Sequence, residues 1–594
     1  MFNVILGLFL ILIPFLLTFC FTDRRRGFLY ILSSLIGFHL LVALITQSLH
    51  IFSYPLILGI NIFISLVCIF IFIKYKKNNS KKIEINWLAI LAFLIIFFEL
   101  WSVHYFYSGQ VGTTGGKLEV ERASYSYPYF SDEWVGVALV NYSLDSHALS
   151  SGNPLVSPGT YSDFPNTLVA WFALISELFL LTNLSPLTSY AIFALVTGAL
   201  ACLLVYLSLR SFGLKNYTAT LAALTIPFIT NGQNLPGIWY LLPFIGALLL
   251  FLITLTALSD SDWKLFFISS LLALIIYPPI IIFILTTLLI TILLNKKINL
   301  SSKFKLFSLS FLTFLIAAIA IIILQKYNLN NLVAIAKSSL FYPALDSGIV
   351  SFLPWNIIPA LIWPLAIFGI FIISRKKLFW LLTPLITGLI FWLIYSHSTY
   401  FFIISYERTV IVTSFLIIIT AAFGFDKIIN LILNKFPYFT NRKITLIIEV
   451  VSLIIFACLA WGYTGRSNWQ NLTLNLATPD GEERLTPTPP ASEYLTSDDL
   501  TLFASIKKKN FLSVPWKALA VGAATINYPL ESKPSFITNR KLSYSIFMAQ
   551  SCADKNSLAL EHRLSYVYSS AFTCPNFSEI GVSQEDLHLY KFNR

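Results

Sequence analysis

The chain has 594 residues, of which 57% are hydrophobic and only 11% are charged. This composition excludes a water-soluble globular protein, because the interior of such a protein would not hold so many apolar side chains. The net charge of +12 comes from short Lys and Arg clusters between apolar runs. Such clusters are typical of cytoplasmic loops and do not form a nucleic-acid-binding surface. The sequence therefore predicts a helical protein that crosses a membrane many times.

Four apolar segments open the chain, each near the length that crosses ~30 Å of hydrocarbon. The first lacks a basic start and a small-residue cleavage site, so we interpret it as a retained helix. Basic clusters at 23–26 and 74–82 should face the cytoplasm, which puts the N-terminus and the loop after the fourth segment outside. The four segments are Phe2–Cys20, Phe28–Ile45, Ile51–Ile73 and Trp87–Tyr107.

The first long polar stretch, 127–164, follows these segments and holds the adjacent acids Asp132 and Glu133 between aromatic residues. A carboxylate at a membrane surface is suited to accept a proton from an acceptor hydroxyl or to hold a divalent cation. The alternative is a helix N-terminus, with Ser131 as the cap and the acids in the first turn. A further acid, Asp163, ends the stretch and has the same two interpretations, a site residue or a turn residue.

The next apolar segment, Asn166–Leu181, is short and carries Glu177. If it crossed the membrane, the basic residues that follow the next span would fall outside, against the positive-inside rule. We therefore predict a juxtamembrane helix that lies at the outer interface.

Ten further spans bring the predicted count to about fourteen, with the C-terminus outside. The segment 426–443 reads as an amphipathic helix on the cytoplasmic surface. Three more outer loops result, at 231–237, 325–356 and 396–408. The ten spans are Leu187–Leu209, Tyr217–Thr230, Ile238–Leu258, Leu265–Tyr277, Ile280–Leu294, Leu306–Leu324, Ile357–Ile373, Leu378–Tyr395, Thr409–Phe425 and Ile444–Trp461.

Cationic residues in the outer loops are candidates for a lipid-linked phosphate. Arg408 lies at the outer end of a span after an aromatic run, where a guanidinium can bind phosphate with two hydrogen bonds. Its alternative is an ion pair with the adjacent Glu407. His397 and Arg122 are weaker candidates for the same task.

The character of the chain changes beyond Trp461. A Pro- and Thr-rich linker precedes a polar region from residue 491 with a helix-capping signal at Ser497 and several strand-like pieces. A small outward-facing α/β domain is expected, and a disulfide between Cys552 and Cys574 is natural if it faces an oxidising compartment. The predicted division is 1–107 (first helices), 108–186 (acidic loop and juxtamembrane helix), 187–461 (transmembrane core), 462–490 (linker) and 491–594 (C-terminal domain).

This layout resembles the GT-C superfamily of integral-membrane glycosyltransferases, which use polyprenyl-phosphate-linked sugars. The resemblance is carried by the SDEW motif in the first large loop, the helix after it, and the stretches SDDLTLFASIK, SVPW and HLYKF near the C-terminus. The sequence departs from the family pattern because it has three additional apolar spans before the acidic loop. It also has Phe164-Pro165-Asn166 where protein mannosyltransferases carry His-Pro-Pro.

The resemblance implies that Asp132 or Glu133 acts as base or metal ligand and that Asp163 is the second acid. It implies a polyprenyl-phosphate-linked sugar as donor, a glycan, lipid or protein as acceptor, and a divalent metal (Mg or Mn) as the conceivable cofactor. The implied location is a prokaryotic plasma (inner) membrane, with the active site and C-terminus outside the cytoplasm. A lipid-linked saccharide flippase or transporter, a polysaccharide polymerase or ligase, and a non-catalytic scaffold remain as alternatives.

Overall fold

The computed structural model describes residues 24–75, 87–105, 109–112, 117–120, 131–150, 153–157, 169–229, 241–294, 300–324, 341–343, 362–396, 400–435, 495–532, 542–583 and 586–593, with single residues at 7, 11, 128, 358 and 451. The predicted spans Phe2–Cys20 and Ile444–Trp461 lie almost entirely outside these ranges.

Long apolar helices make up most of residues 24–435. They are α1 (Arg24–Ser48), α2 (Tyr54–Tyr75), α3 (Trp87–Tyr105), α4 (Ser131–Ser146), α5 (Val169–Thr182), α6 (Pro186–Ser211), α7 (Asn216–Thr225), α8 (Pro243–Ser259), α9 (Trp263–Ile276), α10 (Ile281–Leu294), α11 (Leu300–Leu324), α12 (Ile362–Arg375), α13 (Phe379–Tyr395) and α14 (Tyr406–Lys435). Two short strand pairs accompany them, β1 (Gly109–Gly112) with β2 (Lys117–Val120) and β3 (Phe341–Pro343) with β4 (Tyr400–Phe402).

Three of the described helices are long and apolar enough to cross a membrane: Gly27–Ser48 within α1, Pro186–Ser211 (α6) and Tyr406–Leu431 within α14. Together with the composition, they make this chain a membrane protein. Shorter apolar helices occupy most of the other predicted spans. The count of about fourteen crossings stays a prediction. One predicted span, Tyr217–Thr230, contains only the ten-residue α7 and a 3-10 turn, because Pro227 lacks the N–H that would continue the α-helix.

Close helix packing in this part depends on glycine where α12 crosses α14. A Cβ built on Gly369 would collide with the carbonyl oxygen of Thr420, and one on Gly424 would collide with that of Leu365. Small residues at such a crossing let the two backbones approach, which is how helices associate in a membrane.

The environment of α5 differs from the interfacial helix expected for Asn166–Leu181. A helix that lies on a membrane surface exposes a polar face, whereas α5 is buried along nearly its whole length and packs against α1, α2, α4, α8 and α9. The carboxylate Oε1 of Glu177 lies 2.7 Å from Nδ1 of His39 on α1, and both side chains are fully buried. The acid is accommodated by a partner inside the protein.

The predicted surface helix at 426–443 does not begin at Asp426. The helix α14 instead runs without a break from Tyr406 to Lys435. Asp426 stays within it because its carboxylate accepts hydrogen bonds from Lys215 N and Thr218 Oγ1, at the start of α7, and from Asn430 one turn later. The acid therefore marks a helix–helix contact and not a helix end.

The C-terminal part, residues 495–593, is an α/β domain, as the sequence predicted. Its five-stranded sheet has the order β6-β5-β7-β9-β8, in which β5 is parallel to β6 and β7, and β9 is antiparallel to β7 and β8. The first helix is capped one residue earlier than predicted, by Thr496, in a reciprocal pair of bonds with Asp499. The elements are α15 (Ser497–Leu502), β5 (Asn510–Ser513), α16 (Pro515–Thr525), β6 (Tyr528–Pro529), α17 (Tyr544–Ala549), α18 (Cys552–Glu561), β7 (Tyr566–Ser569), β8 (Phe577–Val582) and β9 (His588–Phe592).

A disulfide and a buried ion pair hold this domain together. Cys552 at the start of α18 is joined to Cys574, which lies 22 residues further along. Lys517 of α16 places its ammonium 2.6 Å from the carboxylate of Asp499, which also accepts a bond of 2.5 Å from the Tyr568 hydroxyl on β7. The polar contacts thus join two helices and the sheet.

Candidate functional site

The predicted acidic pair begins the helix α4. Asp132 and Glu133 are its second and third residues, where negative charge is favourable next to the unpaired N–H groups of the first turn. Residues from Trp134 to Val140 are all buried, so the helix is embedded in protein over two turns. The backbone of Asp132 is described, whereas its side chain lies outside the described part of the chain.

Glu133 points into the protein. It is 2% exposed, and its Oε1 accepts a hydrogen bond of 3.1 Å from the backbone N–H of Leu241. The carbonyl of the same Leu241 accepts a bond of 3.2 Å from the Tyr190 hydroxyl on α6. Glu133 therefore anchors the chain where it enters α8, after the predicted outer loop at 231–237.

Gly136 brings α4 into close contact with α5 and α6. A Cβ on this residue would collide with Tyr190 Oη and would approach Phe172 Cε1 to 2.6 Å. The absence of a side chain at Gly136 thus allows the tyrosine to reach Leu241. Three helices thus pack closely around Gly136, four residues after Asp132.

The other end of α4 meets the C-terminal domain. Asn141 Nδ2 donates to the Ala523 carbonyl at 3.0 Å, and Asp145 forms an ion pair of 2.8 Å with Lys508. Asp145 and His147 belong to the same polar stretch 127–164 and could have joined an outer site. The structure shows Asp145 in this pair and His147 donating from Nδ1 to the Phe52 carbonyl at 2.6 Å.

Arg408 is the third residue of α14, directly after the β3–β4 strand pair. That pair joins the loops predicted at 325–356 and 396–408, with Tyr342 opposite Phe401. Arg408 Nη1 donates to Ser405 Oγ at 3.3 Å, and the side chain is half-buried. Both α4 and α14 contact α6, so one long helix links the element of the acids to the element of the arginine.

The remaining candidates, Asp163, His397 and Arg122, lie outside the described residues, and their roles stay predictions. Within the described ranges, no group of three or more His, Cys, Asp or Glu side chains could hold a metal ion.

Two features of this region were not predicted from sequence. The pairing of His39 with Glu177 joins α1 to α5, and Glu133 carries a structural role that its neighbour Asp132 obscured. The pairing could have been predicted, because His39 and Glu177 are ionisable residues in apolar segments, and such residues usually pair inside a membrane protein. For the second, no sequence signal separates the two acids.

No protein-family model and no curated protein matches the chain. Solved structures of the oligosaccharyltransferase from Archaeoglobus fulgidus are similar to it. The apo form has 14% identity and a TM-score of 0.48, covering 81% of this chain and 69% of that one. The complex with Zn and sulfate has 15% identity and a TM-score of 0.47 over 81% and 68%. The complex with an inhibitory peptide and a dolichol-phosphate has 15% identity and a TM-score of 0.45, covering 82% of this chain and 69% of that one.

Proposed function

We propose that this chain is a membrane glycosyltransferase that moves a sugar from a polyprenyl-phosphate donor to an acceptor outside the cytoplasm. The observation that carries the proposal is the position of α4. This acid-bearing helix packs against the apolar helices α5 and α6 on one side and against α16 of the C-terminal domain on the other. A donor with its tail in lipid and an acceptor in water meet at such a junction.

In the proposed reaction, an acceptor oxygen or nitrogen attacks the anomeric carbon of the sugar. The new bond to that carbon forms as the bond from the carbon to the phosphate oxygen breaks. The Asp132 carboxylate accepts the proton that the acceptor loses. We assign this task to Asp132 and not to Glu133, because Glu133 is buried and bonded to Leu241.

The leaving polyprenyl phosphate carries negative charge that must be stabilised at the membrane surface. We assign this role to Arg408, whose guanidinium can bind phosphate oxygens in pairs. His397 and Arg122 are the further candidates for this role. Asp163 is the proposed second acid, and with Asp132 it would supply oxygen ligands for Mg or Mn, a cation that would neutralise charge on the phosphate.

The proposal keeps the predicted topology of about fourteen crossings, with α4 and the C-terminal domain outside the cytoplasm of a prokaryotic inner membrane. A transporter is the main rival. We would then expect ionisable groups facing a water-filled path within the membrane. The described pair His39 and Glu177 is instead fully buried and in mutual contact, which supports a structural role for it.

The test is glycan profiling of native membranes that carry the intact chain, the Asp132→Asn variant or a deletion, at matched expression. The expected result for Asp132→Asn is loss of one sugar linkage together with accumulation of its polyprenyl-phosphate donor. If the chain were a polysaccharide polymerase, the variant would instead produce a shorter repeating chain. An unchanged profile in the deletion would contradict glycosyl transfer for the glycans measured.

Glu133→Gln is the matched control at the adjacent position. The amide oxygen of glutamine can still accept the hydrogen bond from Leu241, so the linkage should be retained. If Glu133→Gln abolished the linkage and Asp132→Asn did not, the function would stand and the assignment of the base would be wrong.

A further inference from the structure

The C-terminal domain meets α4 through two polar contacts, one at the C-terminal end of α16 and one at Lys508 just before β5. Asn141 donates to the Ala523 carbonyl at 3.0 Å, and Asp145 pairs with Lys508 at 2.8 Å. Asn141 and Asp145 are four residues apart, so they lie on the same face of α4. We call Asn141, Asp145, Lys508 and Ala523 the latch.

The Asn141 contact completes a helix end. The last carbonyls of a helix lack partners within it. In α16 the Asn527 N–H, which a continuing helix would direct to Ala523, bonds instead to Gly522 O at 3.3 Å. The side-chain amide of Asn141 thus supplies a donor to Ala523 from a different part of the chain.

The loops around the latch are held in a defined and costly shape. Lys508 and Ile526 both adopt left-handed backbone conformations, with φ of 56° and 57°, and the Lys508 N–H donates to the Ile526 carbonyl at 2.9 Å. Such conformations cost roughly 1–2 kcal/mol for residues with a Cβ. Asn527 fixes the same loops by accepting from Lys509 N at 3.0 Å and donating to the Ile506 carbonyl at 2.7 Å.

Charge favours the same arrangement. The hydrogen bond and the negative charge of Asp145 raise the pKa of Lys508, so this lysine is protonated throughout the neutral range. The phenols of Tyr142 and Tyr528 lie near the ammonium, and burial raises the pKa of Tyr528, so both the lysine and this phenol keep their usual protonation at neutral pH.

Movement of the latch would be transmitted to the acid end of the helix. Asp132 lies nine residues before Asn141, a distance of about 13 Å along an α-helix. A tilt of about 5° over that length displaces the start of the helix by about 1 Å, and such a misplacement at a reacting group can lower a rate by about 100-fold.

We propose that the C-terminal domain positions the acid helix α4 through this latch, so that Asn141, Asp145 and Lys508 are positioning residues for the transfer reaction. This rests on the proposed function. The latch residues do not touch the substrate. They fix the angle of the helix that carries Asp132.

The test uses the full-length protein and steady-state kinetics with a polyprenyl-phosphate sugar. We expect Asn141→Leu to lower kcat about tenfold, because it leaves the Ala523 carbonyl without this donor. Asp145→Lys and Lys508→Asp alone should each lower kcat about two- to fivefold. The double reversal should restore it, since both side chains reach solvent, with 57% of Lys508 and 32% of Asp145 exposed. KM for the donor should stay unchanged in every variant. The control is Glu579→Ala, which removes an exposed contact with His588 of 2.9 Å within the same domain but distant in sequence from the latch.

Amide hydrogen exchange of residues 131–146 provides a readout that needs no activity. Exchange should rise in each single latch variant and return in the double reversal. Unchanged exchange in the single variants, or kcat values equal to those of an active wild type, would overturn the positioning role. A wild type no more active than Asp132→Asn would overturn the proposed function, and the exchange data would still decide whether the latch holds α4.

Discussion

The membrane helices and the C-terminal domain satisfy their buried polar groups in different ways. In the membrane part, hydroxyl groups bond mainly to a backbone carbonyl one turn earlier in their own helix. In the C-terminal domain, Asp499 is bonded to Lys517 and Tyr568, which lie 18 and 69 positions away. The helices therefore enter their packing with these hydroxyls already paired, whereas the domain pairs its charges only when it folds.

Because their polar groups are paired differently, the two parts should lose stability for different reasons when a side chain is replaced. In the membrane part the fit of surfaces decides the packing, as at Gly369 and Gly424. In the domain, removal of one polar partner leaves a buried charge without compensation. The predictions below test this contrast, in order of expected effect.

The Lys517→Met variant should have the largest effect, because it leaves the fully buried Asp499 carboxylate without its cation. We expect a loss of about 3–5 kcal/mol in the free energy of unfolding of the domain. Thermal unfolding and hydrogen exchange of residues 495–532 would measure it. The second substitution Asp499→Leu, made in the same chain, should recover much of the loss. A double variant as unstable as Lys517→Met would argue that the domain needs the lysine stem, or the bonds that Asp499 accepts from Thr496 and Tyr568, more than the charge pair.

The Gly136→Ala variant tests shape in the membrane part. The added methyl group would collide with Tyr190 and crowd Phe172, so we expect a loss of about 1–3 kcal/mol. The proposed glycosyl transfer should fall with it, because the acid end of α4 would be displaced. The control is Gly59→Ala on α2, where a Cβ meets no atom within 4 Å. Equal melting temperatures for the two variants would contradict the tight packing of α4.

The Glu177→Leu variant tests one of the long-range polar contacts among the membrane helices, the buried pair of Glu177 with His39. Polar contacts between membrane helices stabilise by about 0.5–2 kcal/mol, so the loss should be smaller than for Lys517→Met. The double variant with His39→Leu should regain stability. A loss as large as that of Lys517→Met would break the contrast, since the membrane part would then also depend on a long-range polar pair.

The Lys508→Gln variant should have the smallest effect. In the wild type, Asp145 raises the pKa of Lys508 above the usual 10.5. The stabilisation that the ion pair provides is therefore complete at neutral pH and is lost as the pH rises through that raised pKa. The lysine side chain is 57% exposed, so the difference should be under about 1 kcal/mol. The difference in melting temperature between wild type and variant should be constant from pH 7 to 9 and should shrink above about pH 10.5. A difference that shrank below pH 9 would contradict this.

The sequence predicted the membrane class, most helix positions and the α/β character of the C-terminal domain, because apolar periodicity and turn residues are local signals. It failed where a charged residue has a distant partner. Glu177 lies in the segment predicted as an interfacial helix, and Asp426 begins the segment predicted as a surface helix. In the structure one is paired with His39 and the other binds the start of α7. These pairings arise from the fold and leave no mark in nearby residues.

The candidate site shows the same limit. The SDEW motif located the acids, but the two adjacent carboxylates could be told apart only by the contact of Glu133 with Leu241, which lies 108 positions away. Likewise, the approach of the loops at 325–356 and 396–408 depends on the pairing of β3 with β4, which are three-residue strands too short to predict.

The contact between Asn141 and Ala523 also has a consequence for biosynthesis. The two residues are 382 positions apart, and a ribosome adds roughly 5–20 residues per second. The acid helix is therefore made about 20–80 s before the helix that holds its far end, and any enzyme built on it stays incomplete during that interval. A nascent or prematurely terminated chain would enter the membrane with the acids but without their support, so activity would begin only when the last domain has folded.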